Sequence, residues 1–167
     1  MVGRVSAFDG QPTMMDQRDW VCFLSDWLDG ETLQECLENK PSIITASLVA
    51  KIAESLVLST LFLERKGYKH DDLHLGNVML VRTDPDRLAI DPEQAPFHVK
   101  IIDLGSVKAL DRDTLKPDDD WSSIAKCLAQ LHNQLHKDRG IASRHSRFLN
   151  LLYEFICALA DDDPGRF

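Results

Sequence analysis

His70, Asp72 and Asn77 fall in one short run, His70-Asp71-Asp72-Leu73-His74-Leu75-Gly76-Asn77. The spacing suits phosphoryl transfer. That chemistry needs a carboxylate to orient and deprotonate an attacking hydroxyl, and oxygen ligands for Mg²⁺. Asp72 can serve as the base. Asn77 can offer its amide oxygen to the metal, and Gly76 lets the backbone turn between them. Met79 then falls on a strand beneath a nucleotide. Further on, the apolar strand Val99-Lys100-Ile101-Ile102 delivers Asp103 into the turn Asp103-Leu104-Gly105. A buried acid at a strand end is costly unless it meets a cation or hydrogen-bond donors. Asp103 chelating Mg²⁺ between nucleotide phosphates would meet that cost.

Two rival readings of the first run exist. His70 and His74 have the i, i+4 spacing of a zinc-binding helix, but glycines on both sides disfavour a helix there and no third ligand stands out. The plainer alternative is a polar turn between a helix and a strand. Asp-x-Gly alone is also common in turns. The order of the segments carries more weight than either motif: buried helix, His-x-Asp loop with Asn five residues on, strand, hairpin, strand, Asp-x-Gly.

The elements that must position these residues are readable at low resolution. Val2 to Phe8 reads as a strand, and Trp20 to Trp27 is a second apolar stretch closed by Asp29-Gly30. Thr32 to Leu37 reads as a short helix. Ser42 to Lys66 reads as a long helix, apolar on most sides and therefore expected to be buried, with Gly67 as its C′ residue. Asn77 to Val81 and His98 to Ile102 read as strands that pair as a hairpin across the polar loop Thr83 to Pro96. A helix begins near Asp118-Asp119-Asp120, with Trp121, Ile124, Leu128, Leu131 and Leu135 on one stripe, and ends by Lys137, Arg139 and Gly140. A last helix, Ser146 to Ala160, is expected to turn Phe148, Leu151, Leu152, Phe155 and Leu159 inward. The fold class is α+β, with a little β structure first and mostly α after it.

Bulk composition narrows the function classes. The 167 residues, 44% of them hydrophobic and 28% charged, fit a domain with a real core. A formal net charge of −8 argues against nucleic acid as the main partner. It leaves ATP open, because a local Mg²⁺ site can outvote global charge. The four cysteines, Cys22, Cys36, Cys127 and Cys157, form no C-x-x-C pair and read as reduced core thiols. Leu48 to Leu63 is interrupted by Lys51 and Glu54, so no membrane span is expected. No signal stretch opens the chain, and a cytoplasmic location is expected.

On these residues the sequence resembles the protein kinase-like superfamily. His70, Asp72, Leu73 and Asn77 match its His-x-Asp-Leu-x-x-x-Asn catalytic loop. Asp103 and Gly105 match Asp-Phe-Gly, with Leu104 in place of Phe. The run with His74 and Gly76 looks closer to compact bacterial kinases and small-molecule phosphotransferases, such as those acting on aminoglycosides, than to the common eukaryotic form. Phe23 to Gly30 looks like the last small-lobe strand and the hinge. On that match Ser25 is the gatekeeper, and the backbone of Asp26 and Leu28 bonds the adenine edge. Asp119-Asp120-Trp121-Ser122 resembles the Asp-x-Trp-Ser start of the central helix. There Asp119 would tie down the catalytic loop's backbone; simple helix capping is its other reading.

The resemblance implies residues 1–30 as a remnant hairpin of the small lobe plus hinge, and residues 31–167 as a kinase-like large lobe. It implies ATP and Mg²⁺, with Asp72 as base, Asn77 and Asp103 as metal ligands, and His70, Gly105 and Asp119 supporting the site. The departures are large. No Gly-rich loop and no Val-Ala-x-Lys strand precede the hinge, and Ala-Pro-Glu is missing. Asp71 stands where the family has an Arg that pairs with an activation-loop phosphate, which argues against activation by phosphorylation. The expected function is an ATP-dependent phosphotransferase, with protein Ser/Thr favoured as acceptor, whose grip on the triphosphate comes from upstream residues or a partner chain. The alternatives are a non-catalytic binding module and a small-molecule phosphotransferase. Exposed N-terminal strands would favour a dimer or hetero-complex.

Overall fold

The computed structural model describes residues 28–82, 97–110 and 120–160. The strand expected at Val2 to Phe8, the stretch from Trp20 to Trp27 and the loop from Thr83 to Pro96 lie outside them.

The described residues form a mostly helical α+β arrangement with two small antiparallel sheets. Strand β1 (Gly30–Thr32) leads directly into helix α1 (Leu33–Asn39). Thr32 caps that helix in a reciprocal box. Glu35 N donates to Thr32 Oγ1 at 3.2 Å, and Thr32 N donates to Glu35 Oε2 at 2.9 Å. A single 3₁₀ turn, Pro41–Ile43, follows. Helix α2 (Ala46–Arg65) begins only at the Thr45 cap, whose Oγ1 accepts from Leu48 N at 3.2 Å. The expected start at Ser42 is thus four residues early, because Pro41 nucleates a tighter turn and Thr45 supplies the cap. Gly67 ends the helix at φ 80°, a conformation glycine adopts freely.

Strand β2 (Tyr68–Lys69) pairs with β5 (Lys108–Ala109), while β3 (Val78–Arg82) and β4 (Phe97–Ile101) form the expected hairpin. Strand β1 adds to the outer edge of β3, giving the order β1-β3-β4. Gly30 is required at that edge: a Cβ there would lie 2.4 Å from the Leu80 carbonyl oxygen. Helices α3 (Asp120–Lys137), α4 (Arg139–Arg144) and α5 (Ser146–Ala160) complete the described chain. Helix α3 is central, packed against α2 on one side and α5 on the other. Arg139 and Gly140 open α4 rather than closing α3. Asp138 Oδ1 accepts from Gly140 N at 2.8 Å, a restart signal that the basic residues concealed.

Two burial expectations are corrected. Helix α2 buries one stripe, Ala46, Val49, Ile52, Leu56 and Thr60, and leaves Leu58 59% and Phe62 60% exposed. It is long and apolar enough to cross a membrane by length and composition alone, yet its buried stripe belongs to the core it shares with α3. Helix α5 buries Leu149, Leu152, Ile156 and Leu159, while Leu151 is exposed and Phe148 and Phe155 are half-buried. Its apolar arc is broad enough for the sequence to fit two phases, and packing on α3 selects one. Cys36 and Cys127 are buried free thiols, and burial pushes the Cys127 thiol up to about 11. Cys157 is a half-buried free thiol.

The one-sided burial of α2 has a direct consequence. Leu56→Ala is expected to cost about 2–5 kcal/mol of unfolding free energy, whereas Leu58→Ala, two residues on, stays within about 0.5 kcal/mol. Urea denaturation of both variants measures the contrast.

Candidate functional site

The turn after α2 delivers β2 and then His70 into the interior. His70 is 1% exposed. Its backbone N donates to Asp120 Oδ2 at 2.6 Å, and the next amide, Asp71 N, donates to Asp120 Oδ1 at 3.0 Å. One buried carboxylate at the start of α3 thereby holds two successive amides of the loop. The His70 ring reaches the other way: Nε2 donates to the Ile102 carbonyl at 3.1 Å. Its buried Nδ1 has no hydrogen-bond partner among the described residues. The segment is extended and then turns, so His70 and His74 do not share a helix face. His74 is exposed, and its Nδ1 accepts from Gly76 N at 3.1 Å. The two-histidine zinc reading of this run has no geometric basis.

Asp71 adopts a left-handed conformation, φ 65°. Asp tolerates that region better than most residues. Its side chain bridges Lys69 of β2 and Lys108 of β5. Hydrogen bonds from Lys108 and then Lys69 hold its carboxyl at about 2, below the ordinary carboxylate value of 3.8. The bridge ties the chain beyond Asp103 to the loop that begins at His70, beside the β2–β5 pairing.

Asp72 follows with its carboxylate half exposed, 3.8 Å from His74 Nε2. Asn77 is buried, and its Nδ2 donates to the Asp72 carbonyl at 2.8 Å and lies 3.4 Å from Asp72 Oδ2. The amide nitrogen is thus occupied within the loop, and Oδ1 is the atom left to accept or coordinate. Ile102 N donates to the Asn77 carbonyl at 2.9 Å, extending the β3–β4 ladder by one rung. Asn77 and Asp103 therefore flank the same end of the hairpin. Asp103 also takes a left-handed conformation, φ 58°, and its Oδ1 accepts from Gly105 N at 3.3 Å. It is exposed, as are Leu104 and Gly105. The premise of a buried acid fails, because the strand ends at Ile101 and the turn carries Asp103 out to the surface.

The remaining expected residues divide between described and undescribed chain. Met79 is half-buried on β3, between Thr32 of β1 and Lys100 of β4. Leu28 is half-buried just before β1. Ser25, Asp26 and Asp119 lie outside the described residues. A loop-tying contact of the kind assigned to Asp119 is made by Asp120. Asp120 lies one turn before Ile124 and two before Leu128, on the buried stripe of α3, a spacing readable in the sequence. Asp71 and its two lysines were not readable there, because Lys69 and Lys108 meet only through the β2–β5 pairing.

Among the described residues no three His, Cys, Asp or Glu side chains converge to cage a metal. A cleft of about 270 Å³ opens at the other end of the hairpin, lined by Asp29, Glu31, Lys40, Arg82 and Phe97 among others. Among the described residues, none of those expected to do chemistry lines it. No protein-family model matches the chain, and no curated protein matches it either.

The Asp71 bridge should be visible in acid. A depressed carboxyl contributes stability above its unfolded pKa and loses it as pH falls through the folded value. The stability difference between wild type and Asp71→Asn is expected to be complete above pH 3.8 and to close as pH falls towards about 2. Asn keeps the left-handed preference, so the variant isolates the charge. Thermal denaturation across this pH range measures it, and a gap independent of pH would contradict the bridge.

Proposed function

We propose that this chain is the large lobe of a protein kinase-like phosphotransferase, transferring the γ-phosphoryl group of ATP to a hydroxyl, with a protein Ser or Thr as acceptor. The observation that carries the reading is the joint placement of Asp72, Asn77 and Asp103. Asn77 is bonded within the Asp72 loop, and it flanks the same hairpin end as Asp103. The segments that carry a carboxylate, an amide oxygen and a second carboxylate thereby meet at one end of the hairpin.

The donor set fits Mg²⁺. It is all oxygen, and Mg²⁺ characteristically binds one or two carboxylates plus substrate phosphates rather than a full protein cage. Asn77 Oδ1 and Asp103 would hold it, and bound there it would neutralise charge on the phosphates. Asp72, half exposed, accepts the acceptor's proton as the hydroxyl oxygen bonds to the γ-phosphorus and the bond to the ADP oxygen breaks. Asn77 keeps the loop closed through Nδ2. Asp120 and His70 hold it from below, one through two amides and the other through the Ile102 carbonyl. Asp71, bridging two lysines, does with standing charges what an Arg and an added phosphate do in the family. On the hinge match, Leu28 and Met79 would face adenine, together with Ser25 and Asp26.

A second reading, a non-catalytic nucleotide or protein binding module, is favoured by the exposure of Asp72, Asp103 and Leu104. Phosphoryl transfer depends on positioning and charge stabilisation that an open surface supplies poorly. A partner chain or upstream residues would close it.

Titration of the purified chain with ATP, with and without Mg²⁺, tests the proposal. Wild type is expected to bind ATP more tightly with Mg²⁺, by about tenfold or more if the ion contributes at least about 1.4 kcal/mol. Asp103→Ala is expected to lose that Mg²⁺ dependence. Identical ATP binding and phosphate transfer in the two proteins would defeat the reading.

A further inference from the structure

His132 and His136 lie one turn apart on α3, on the side that turns towards α5. Their ring centroids are 4.5 Å apart with planes inclined at 60°. The ring of Tyr153, from α5, lies 6.0 Å from His132. Neither histidine belongs to the loop, hairpin or turn that the proposed chemistry uses.

We infer that His132 and His136 form a two-histidine site for a late first-row divalent transition ion, with zinc as the representative. Imidazole nitrogen is a preferred ligand of such ions, and two histidines at i, i+4 on one helix face are a recurrent zinc-binding pair. Rings this close bring a nitrogen from each within reach of one ion, whose Zn–N bonds are about 2.0–2.1 Å. His136 belongs to the last turn of α3, where the carbonyl end of the helix dipole favours a cation.

The surroundings agree. The His132 ring bonds the Leu149 backbone and the Asn133 side chain. The Leu149 contact is of the kind that orients a metal-binding ring through its second nitrogen. Asn133 is exposed and free to swing aside. Two protein ligands leave positions for water, so the site is open, and it meets no three-ligand cage among the described residues. The contrast with His70 and His74 is instructive. They have the same spacing, but there one ring is buried on a carbonyl and the other caps a turn.

Isothermal titration of the tag-free chain with zinc chloride tests the site. Wild type should bind one equivalent saturably. Loss of an outer-shell partner alone typically costs about 10–100-fold in metal affinity, so His132→Ala and His136→Gln should each weaken zinc by at least about tenfold. His98→Ala, on β4, should bind as wild type does. His136 is exposed, so its Gln variant is expected to keep the wild-type far-ultraviolet circular dichroism and gives a reading even if His132→Ala unfolds. Unchanged zinc affinity in His136→Gln, or in a folded His132→Ala, would overturn the assignment.

Discussion

A buried carboxylate with two amides aimed at it is the contact on which the rest of the arrangement depends. Asp120 is 3% exposed, and a charged group that deep is tolerated only when hydrogen-bond donors replace water. His70 N and Asp71 N are those donors, from 50 and 49 residues earlier in the chain. The position at the start of α3 adds the favourable end of the helix dipole. One interaction thus couples the central helix to the loop that carries Asp72 and Asn77. Trp121, the next residue, strengthens the same seam: its Nε1 donates to Glu64 Oε1 of α2 at 2.6 Å.

Two further constraints act through backbone conformation. Among the described residues, Asp71 and Asp103 are the only non-glycine residues at positive φ. Each stands at a point where the chain must reverse into the proposed site, and each is held by contacts that compensate the conformation: Asp71 by Asp120 and two lysines, Asp103 by Gly105 N. Strain concentrated and over-determined in this way is characteristic of residues placed for chemistry rather than for packing.

The helical part of the fold was legible because its signals are local. Thr32 with Glu35, Gly67, and the Ile124-Leu128-Leu131-Leu135 stripe each announce an element within a few residues. The hairpin was legible for the same reason. What the sequence withheld was phase and partnership. The arc of α5 was too uniformly apolar to distinguish Leu149 from Leu151, and α2, apolar on most sides, was expected to be buried, whereas it buries one stripe. The loop-tying role was read onto Asp119, and the contact seen in the described residues comes from its neighbour Asp120. The Asp71 bridge depends on a two-residue sheet between Tyr68–Lys69 and Lys108–Ala109, too short for any pattern to reveal.

Amide hydrogen exchange at His70 and Asp71 tests most directly whether Asp120 organises the loop. Both amides point at a buried carboxylate and should exchange as slowly as the interior amides of α3. In Asp120→Asn they should exchange much faster than in wild type while Leu128 and Leu131 stay protected. Rapid exchange of the two amides in the wild-type chain, or protection unchanged by the substitution, would contradict the account.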